Sequence, residues 1–141
     1  MSRKTIEVTH VVIESTKRAA DVRSSLETSI TVQSELALEA ASELSIFLKR
    51  DLGAVQYEIG NSLSASTITH HELAAALYLP LRVVVYENDE GGSRIEYDLP
   101  SSLLGQFEDE RVSAVARGLD VPLGRALSGA AGCARYSSSN S

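Results

Sequence analysis

The most regular alternation of apolar and polar positions in this chain lies between Leu81 and Leu99. Leu81, Val83, Val85 and Glu87 alternate with Arg82, Val84 and Tyr86; Ser93, Ile95, Tyr97 and Leu99 alternate with Arg94, Glu96 and Asp98. A period of two marks a β-strand. The two runs flank Asn88-Asp89-Glu90-Gly91-Gly92. Asn, Asp and Glu suit a type I turn, and Gly91 suits the left-handed position that closes a three-residue loop with a bulge. Such a loop sets Asn88 opposite Gly92, and hence Glu87 opposite Ser93, Val85 opposite Ile95, Val83 opposite Tyr97 and Leu81 opposite Leu99. These pairs share one side of the sheet. The other side carries Arg82 opposite Asp98, Val84 opposite Glu96 and Tyr86 opposite Arg94. One face is apolar except near the turn and the other is charged, so a one-residue slip would mix them.

The remaining patterns are arranged around this hairpin. Thr5–Glu14 reads as a first strand, with apolar residues on both sides toward its end, as for a strand entering the sheet interior. Ser15 or Thr16 caps a helix running to about Ile30, whose Ala19, Val22, Leu26 and Ile30 cover the apolar face. From Ser34 to Arg50, Leu36, Ala40, Leu44, Phe47 and Leu48 fall on one helical face and Gly53 is a stop, which predicts a second helix. Ala54–Gly60 reads as a strand, Asn61–Ser66 as a polar connection, and an extended piece ends at Ile68. Thr69 and Glu72 match a capping box for a short helix over Leu73–Leu77, which must stop before Pro80. A helix over Glu108–Leu119 turns Val112, Val115, Ala116 and Leu119 inward, and Asp120 and Pro122 begin one more short helix to Ala126 or Leu127. The expected organisation is one α+β domain over residues 1–127, an antiparallel sheet covered by helices, followed by a disordered tail over 128–141.

Composition narrows the class. With 141 residues the chain is large enough for one core without covalent staples. Its net charge of −6 and its scattered basic pairs form no phosphate-binding stripe, so nucleic acid is not expected as a partner. No apolar run reaches the length of a membrane span, and the N-terminus has no apolar signal-peptide core. Cys133 is the single cysteine, which rules out an intramolecular disulfide and fits a reducing compartment. A cytoplasmic protein without a membrane partner is therefore expected. No cofactor is expected either: the Gly60-Asn61 turn lacks a dinucleotide or P-loop fingerprint, and Ser101-Ser102 lacks a nucleophile-elbow context. His70 and His71, adjacent on a helix start, point about 100° apart and have no partner at ligand spacing, so no metal site is expected.

Several short blocks carry a likeness. Gly60-Asn61, Leu79-Pro80-Leu81-Arg82, Val85-Tyr86-Glu87 and Glu96-Tyr97-Asp98-x-Pro100 match, in order and spacing, the Gly-Asn-Pro, Leu-Pro-Leu, Tyr/Trp-Glu and Tyr-Asn/Asp-x-Pro blocks of the domain-of-unknown-function 302 family. The chain resembles that family over about residues 5–120, and the run Leu77–Val112 is most similar to its fungal branch. Ser62 stands where the family usually has Pro, and the Asp-His pair that many bacterial members carry after the first helix is absent. The resemblance implies a β-α-β(3-4)-α order like that of the TATA-binding-protein-like superfamily, and often a homodimer. It implies no established reaction.

Candidate chemistry centres on the covered face. Glu87 is expected there, where loss of water would suit it to general acid or base work, unless it only bonds Ser93 or loop amides. Tyr97 shares the face two rungs from Glu87, and Tyr57 and Asn61 on the next strand extend a polar cluster, although core packing accounts for each tyrosine singly. His71 is the histidine that would face this cluster, with a cap or surface role as the alternative. Asp98 is assigned to a cross-strand ion pair with Arg82. Leu77-Tyr78-Leu79 and a bare edge strand offer a dimer contact. The leading expectation is a binder of a small apolar organic molecule held between sheet and helices by Tyr57, Asn61, Val85 and Ile95. The alternative is a cofactor-independent isomerase, cyclase or lyase of specialised (secondary) metabolism, with Glu87 moving a proton and Tyr97 and His71 as catalytic partners. A third is an interaction module without an enclosed site.

Overall fold

A computed structural model describes residues 2–32 and 44–132. Six strands form one sheet in the order β1-β6-β5-β4-β3-β2. They are β1 (His10–Ser15), β2 (Thr31–Val32), β3 (Ser45–Asp51), β4 (Val55–Gly60), β5 (Leu81–Glu87) and β6 (Ser93–Asp98). Neighbours run antiparallel except β2 and β3. Helices α1 (Ala19–Ser29) and α4 (Glu110–Ala130) pack on each other over the apolar face, and α2 (Ser62–His71) packs on α4. Among the described residues no helix covers the opposite face. The fold is α+β, an antiparallel sheet flanked by helices.

The central hairpin has the register that its alternation demands, from Glu87 opposite Ser93 to Val83 opposite Tyr97. Gly91 takes φ 83°, in the left-handed region. Gly92 serves a different purpose. A Cβ there would stand 2.3 Å from the Ser15 carbonyl oxygen, so only glycine lets the end of β1 lie against the loop. That β1 begins at His10 rather than Thr5, and it is an edge strand, not an interior one. Its Val11 and Ile13 are half-buried, while Val12 is 47% exposed on the open face. β-Branched residues favour an extended chain at an edge as well as inside, so apolar residues on both sides do not distinguish the two.

The helices depart from the pattern in four places. Residues 45–50, expected to be helical, belong to β3, because pairing with β4 sets Ile46 opposite Ile59 and Lys49 opposite Tyr57. Leu36 and Ala40 of that expectation lie outside the described residues. Asn61–Ile68 is not a connection and an extended piece but most of α2. Asn61 caps it, accepting from the Ser64 amide at 2.9 Å, and Thr67 and Thr69 turn their hydroxyls back onto the Leu63 and Ala65 carbonyls. The Thr69–Glu72 box therefore does not form; Glu72 instead accepts from Ala74 at the start of a 3-10 turn over Leu73–Tyr78.

The third departure is α1, which starts after Arg18 with no side-chain cap, while Ser15 ends β1 and donates to the Ala131 carbonyl at 2.6 Å. The fourth is α4, one helix of 21 residues where two were expected, with Pro122 inside it. A proline costs a helix interior about 3 kcal/mol. Continuing through it buries Leu123 and Leu127 completely, each contributing about 1.5–3 kcal/mol. Asp120, read from sequence as a cap of its own helix, serves another one. It accepts from the Ser101 amide at 2.9 Å and hydroxyl at 2.5 Å at the start of α3 (Pro100–Leu104). Ser128–Ala130 are thus helical, and the rest of the expected tail from residue 133, with Cys133, lies outside the described residues.

Candidate ligand cavity

The last residue of β4, the first turn of α2 and the entry to β5 meet at one end of the sheet. They enclose a cavity of about 200 Å³ with almost wholly apolar walls. Gly60, Asn61 and Leu81 are buried in its floor, and Leu119 of α4, 6% exposed, closes it from the helix side. Ala65 of α2 and Pro80, which follows a cis peptide bond at Leu79, complete the walls. Asn61 is uncharged, and its side-chain oxygen accepts from the Ser64 amide.

Phe47 forms the mouth, and a bulge puts it there. Ile46 faces Ile59 and Leu48 faces Glu58, so Phe47 is an extra residue in β3 with no partner in the ladder. An inserted residue bends its strand and re-aims a side chain. The Phe47 ring lies over Gly60, 3.8 Å from where a Cβ would stand, and remains 36% exposed. The helical reading of residues 34–50 concealed this residue.

The structure scatters the other expected site residues. Glu87 lies on the side of the sheet assigned to it but is exposed, not sheltered, although Ser93 opposite it is fully buried beneath the Lys17 carbonyl. It lines a separate open cleft of about 500 Å³ with Arg23 and Asp51, and Val85 at its base. Tyr97 is 3% exposed within the core, four register steps from the Glu87–Ser93 pair, or about 13 Å along the strand. His71 ends α2 while Asn61 begins it; ten residues of helix rise about 15 Å, so the two do not face one site. The rings of His70 and His71 instead contact edge to face, their centroids 5.1 Å apart. Val85 and Ile95 are buried opposite each other in the core. Of the seven candidates, Asn61 alone lines the apolar cavity.

Tyr57 is fully buried, and its hydroxyl donates to Glu27 Oε2 at 2.5 Å. Lys49 Nζ meets the same carboxylate oxygen at 2.8 Å. Burial and the adjacent carboxylate push the Tyr57 hydroxyl well above its ordinary range. Partial burial opposes ionisation of Glu27, but the Lys49 and Tyr57 hydrogen bonds outweigh it and hold the carboxyl below its usual value. The trio ties α1 to β3 and β4, which accounts for Tyr57 structurally.

On the open face Asp98 does not pair with Arg82. Its Oδ1 lies 2.8 Å from His10 Nδ1, and Glu96 Oε1 lies 2.7 Å from His10 Nε2. An imidazole that donates from both nitrogens is an imidazolium, and the hydrogen bonds to Glu96 and Asp98 raise its pKa. Tyr86 donates to the other oxygen of Glu96, and Arg94 Nε donates to both oxygens of Glu14 at 3.0 Å. β1 thus sits closer to Asp98 than β5 does in side-chain reach, and takes the partner that a two-strand reading gave to Arg82. Among the described residues no group of three or more His, Cys, Asp or Glu is placed to hold a metal ion.

The model of the family described as "Domain of unknown function DUF302" matches residues 21–130. The chain belongs to the DUF302 family. Among solved structures, the crystal structure of uncharacterized conserved protein DUF302 from Bacillus stearothermophilus is similar at 17% identity. The match covers 87% of this chain and 95% of that one with a TM-score of 0.65, which is a likeness of fold. No curated protein matches the chain.

In this DUF302 domain the blocks that carry the family likeness gain a spatial meaning. Gly60-Asn61 and Leu79-Pro80-Leu81 are about twenty residues apart in sequence, yet both line the one apolar cavity. The departure at Ser62 is conservative in structure. It occupies the first position of α2, where a proline is equally well accommodated because that amide has no partner within the helix. Apart from Asn61, sequence reasoning named none of the lining residues, Ala65, Pro80, Phe47 and Leu119 among them. The two blocks were the signal for Pro80; nothing in the alternation pointed to Phe47.

Proposed function

We propose that this DUF302 domain binds a small, largely apolar organic molecule, about one six-membered ring with a short substituent, in the cavity between Gly60, Pro80, Ala65 and Leu119. The observation that carries the reading is the convergence of the Gly60-Asn61 and Leu79-Pro80-Leu81 blocks on a single apolar space of about 200 Å³. Small apolar cavities stay dry and take such rings; one of about 150 Å³ accepts benzene. Asn61 orients the wall by capping α2, and Phe47 covers the entrance. A homodimer, a cytoplasmic location and a role as an accessory binder in specialised metabolism belong to the same reading. So do the fungal-branch placement and kinship with the TATA-binding-protein-like superfamily, which rest on sequence likeness. The proton-transfer enzyme is set aside, because Glu87, Tyr97 and His71 stand at three separate places.

Saturation-transfer NMR with p-cresol as probe tests the reading. Transfer to the probe is expected with the wild-type chain and is lost in Ala65→Phe, whose ring occupies the cavity. Equal transfer in both proteins contradicts it.

A further inference from the structure

Among the described residues β1 forms one margin of the sheet, and its backbone polarity is fixed by its inner neighbour. The Thr9 carbonyl accepts from the Leu99 amide at 2.8 Å, and the ladder continues with His10 opposite Asp98. In an antiparallel pair, residues alternate between those that bond the neighbour and those that face away. Thr9, Val11 and Ile13 therefore bond toward β6, and the amides and carbonyls of His10, Val12 and Glu14 point outward. The strand contains no proline, lysine or bulge, and of the features that guard an edge it carries only the charges of His10 and Glu14.

The geometry points to a two-fold pairing of β1 with β1 of a second copy, centred on Val12. This rests on the homodimer of the reading above and adds its interface. Antiparallel self-pairing about a two-fold axis sets residues opposite whose numbers share one sum. Centring on Val12 matches outward-facing amides with one another: Val12 bonds its counterpart, and His10 faces Glu14 of the other copy. The side chains then match on both faces. On the open face His10, held by Glu96 and Asp98, lies beside Glu14, held by Arg94, at each end, and the two exposed valines meet in the middle; on the inner face Val11 meets Ile13. Moving the centre to Val11 or Ile13 sets His10 or Glu14 against Val12, and moving it to His10 or Glu14 sets like charges on the axis. Charge complementarity and apolar contact agree in the Val12 register alone. The result is a continuous sheet through both copies, and neither protomer retains β1 as a bare edge.

Sedimentation analysis of the full chain tests this with two variants and one independent readout. The wild-type chain is expected at twice the mass of 15.1 kDa. Val12→Lys, at an exposed position where the lone chain tolerates it, puts two ammonium groups on the axis and is expected at the single mass. Val12→Thr is expected to stay at twice the mass. A wild-type chain at the single mass overturns both the homodimer and this interface; a Val12→Lys chain at twice the mass overturns the interface and leaves the homodimer standing. Hydrogen exchange at the Val12 amide reads the same question without a substitution. Slow exchange is expected, and exchange at the rate of an unstructured chain overturns the pairing.

Discussion

Gly60 and Pro80 face each other across the cavity floor with room for one methyl group between them: a Cβ on Gly60 would stand 3.6 Å from Pro80 Cβ, an ordinary van der Waals contact. Space and stability are therefore separable at this position. Gly60→Ala restricts the unfolded chain without a clash, so the melting free energy is expected to hold or to rise by about 0.4–1 kcal/mol. The same methyl narrows the cavity. A thermal melt and p-cresol saturation transfer on one sample check both halves, with stability retained and transfer reduced.

The two hairpin glycines are expected to differ in cost. Gly91→Ala meets nothing within 4 Å and strains only the left-handed backbone, at about 1 kcal/mol. Gly92→Ala drives a methyl into the Ser15 carbonyl and must displace the end of β1, at about 1–3 kcal/mol. Denaturant melts of the two variants rank them, with Gly92→Ala the less stable.

His10 makes the attachment of β1 dependent on pH. Its folded pKa is raised above the unfolded value by Glu96 and Asp98, so its contribution is complete below about pH 6.5 and is lost as pH rises through the folded pKa. His10 is exposed and its two partners are only half-buried, so the effect is no more than about 1 kcal/mol after solvent screening. Melts from pH 6 to 9 on wild type and His10→Ala check it: the wild type alone loses stability across that window.

Tyr57, Glu27 and Lys49 set an acid dependence of opposite sign. Glu27 has its folded pKa depressed, so its contribution is present above the ordinary carboxyl value near 4.5 and is lost as pH falls through the lower folded value. Tyr57→Phe removes a hydrogen bond to a charged group and is expected to destabilise by about 1.5–3 kcal/mol at neutral pH. The deficit relative to wild type shrinks in acid as Glu27 protonates, which urea melts at pH 7 and pH 3 measure.

Sequence was legible where one signal dominated. The hairpin register followed from strict alternation and one glycine turn, and the inward faces of α1 and α4 followed from Val22, Leu26, Val112 and Leu119. It misled where two periods fit the same residues. Ser45–Asp51 satisfies a helical stripe and a strand alike, and its pairing with β4, remote in sequence, decides. Ser62–His71 reads as polar and β-branched, but the Asn61 cap starts a helix there, and Thr67 and Thr69 satisfy their hydroxyls on carbonyls one turn back. Glu87 was placed on the correct side of its strand; that it stays exposed while Ser93 opposite it is buried is a tertiary property that alternation does not encode. The cavity itself depends on a bulge at Phe47 and on Leu119 from the far end of the chain.

A methyl-resolved NMR titration of the wild-type chain with p-cresol tests the cavity most directly. Shifts confined to Ala65, Leu79, Leu81 and Leu119, with Val85 and Ile95 unmoved, are the predicted result. Shifts centred on Val85 and the cleft beside Glu87, or no shifts at all, would contradict it.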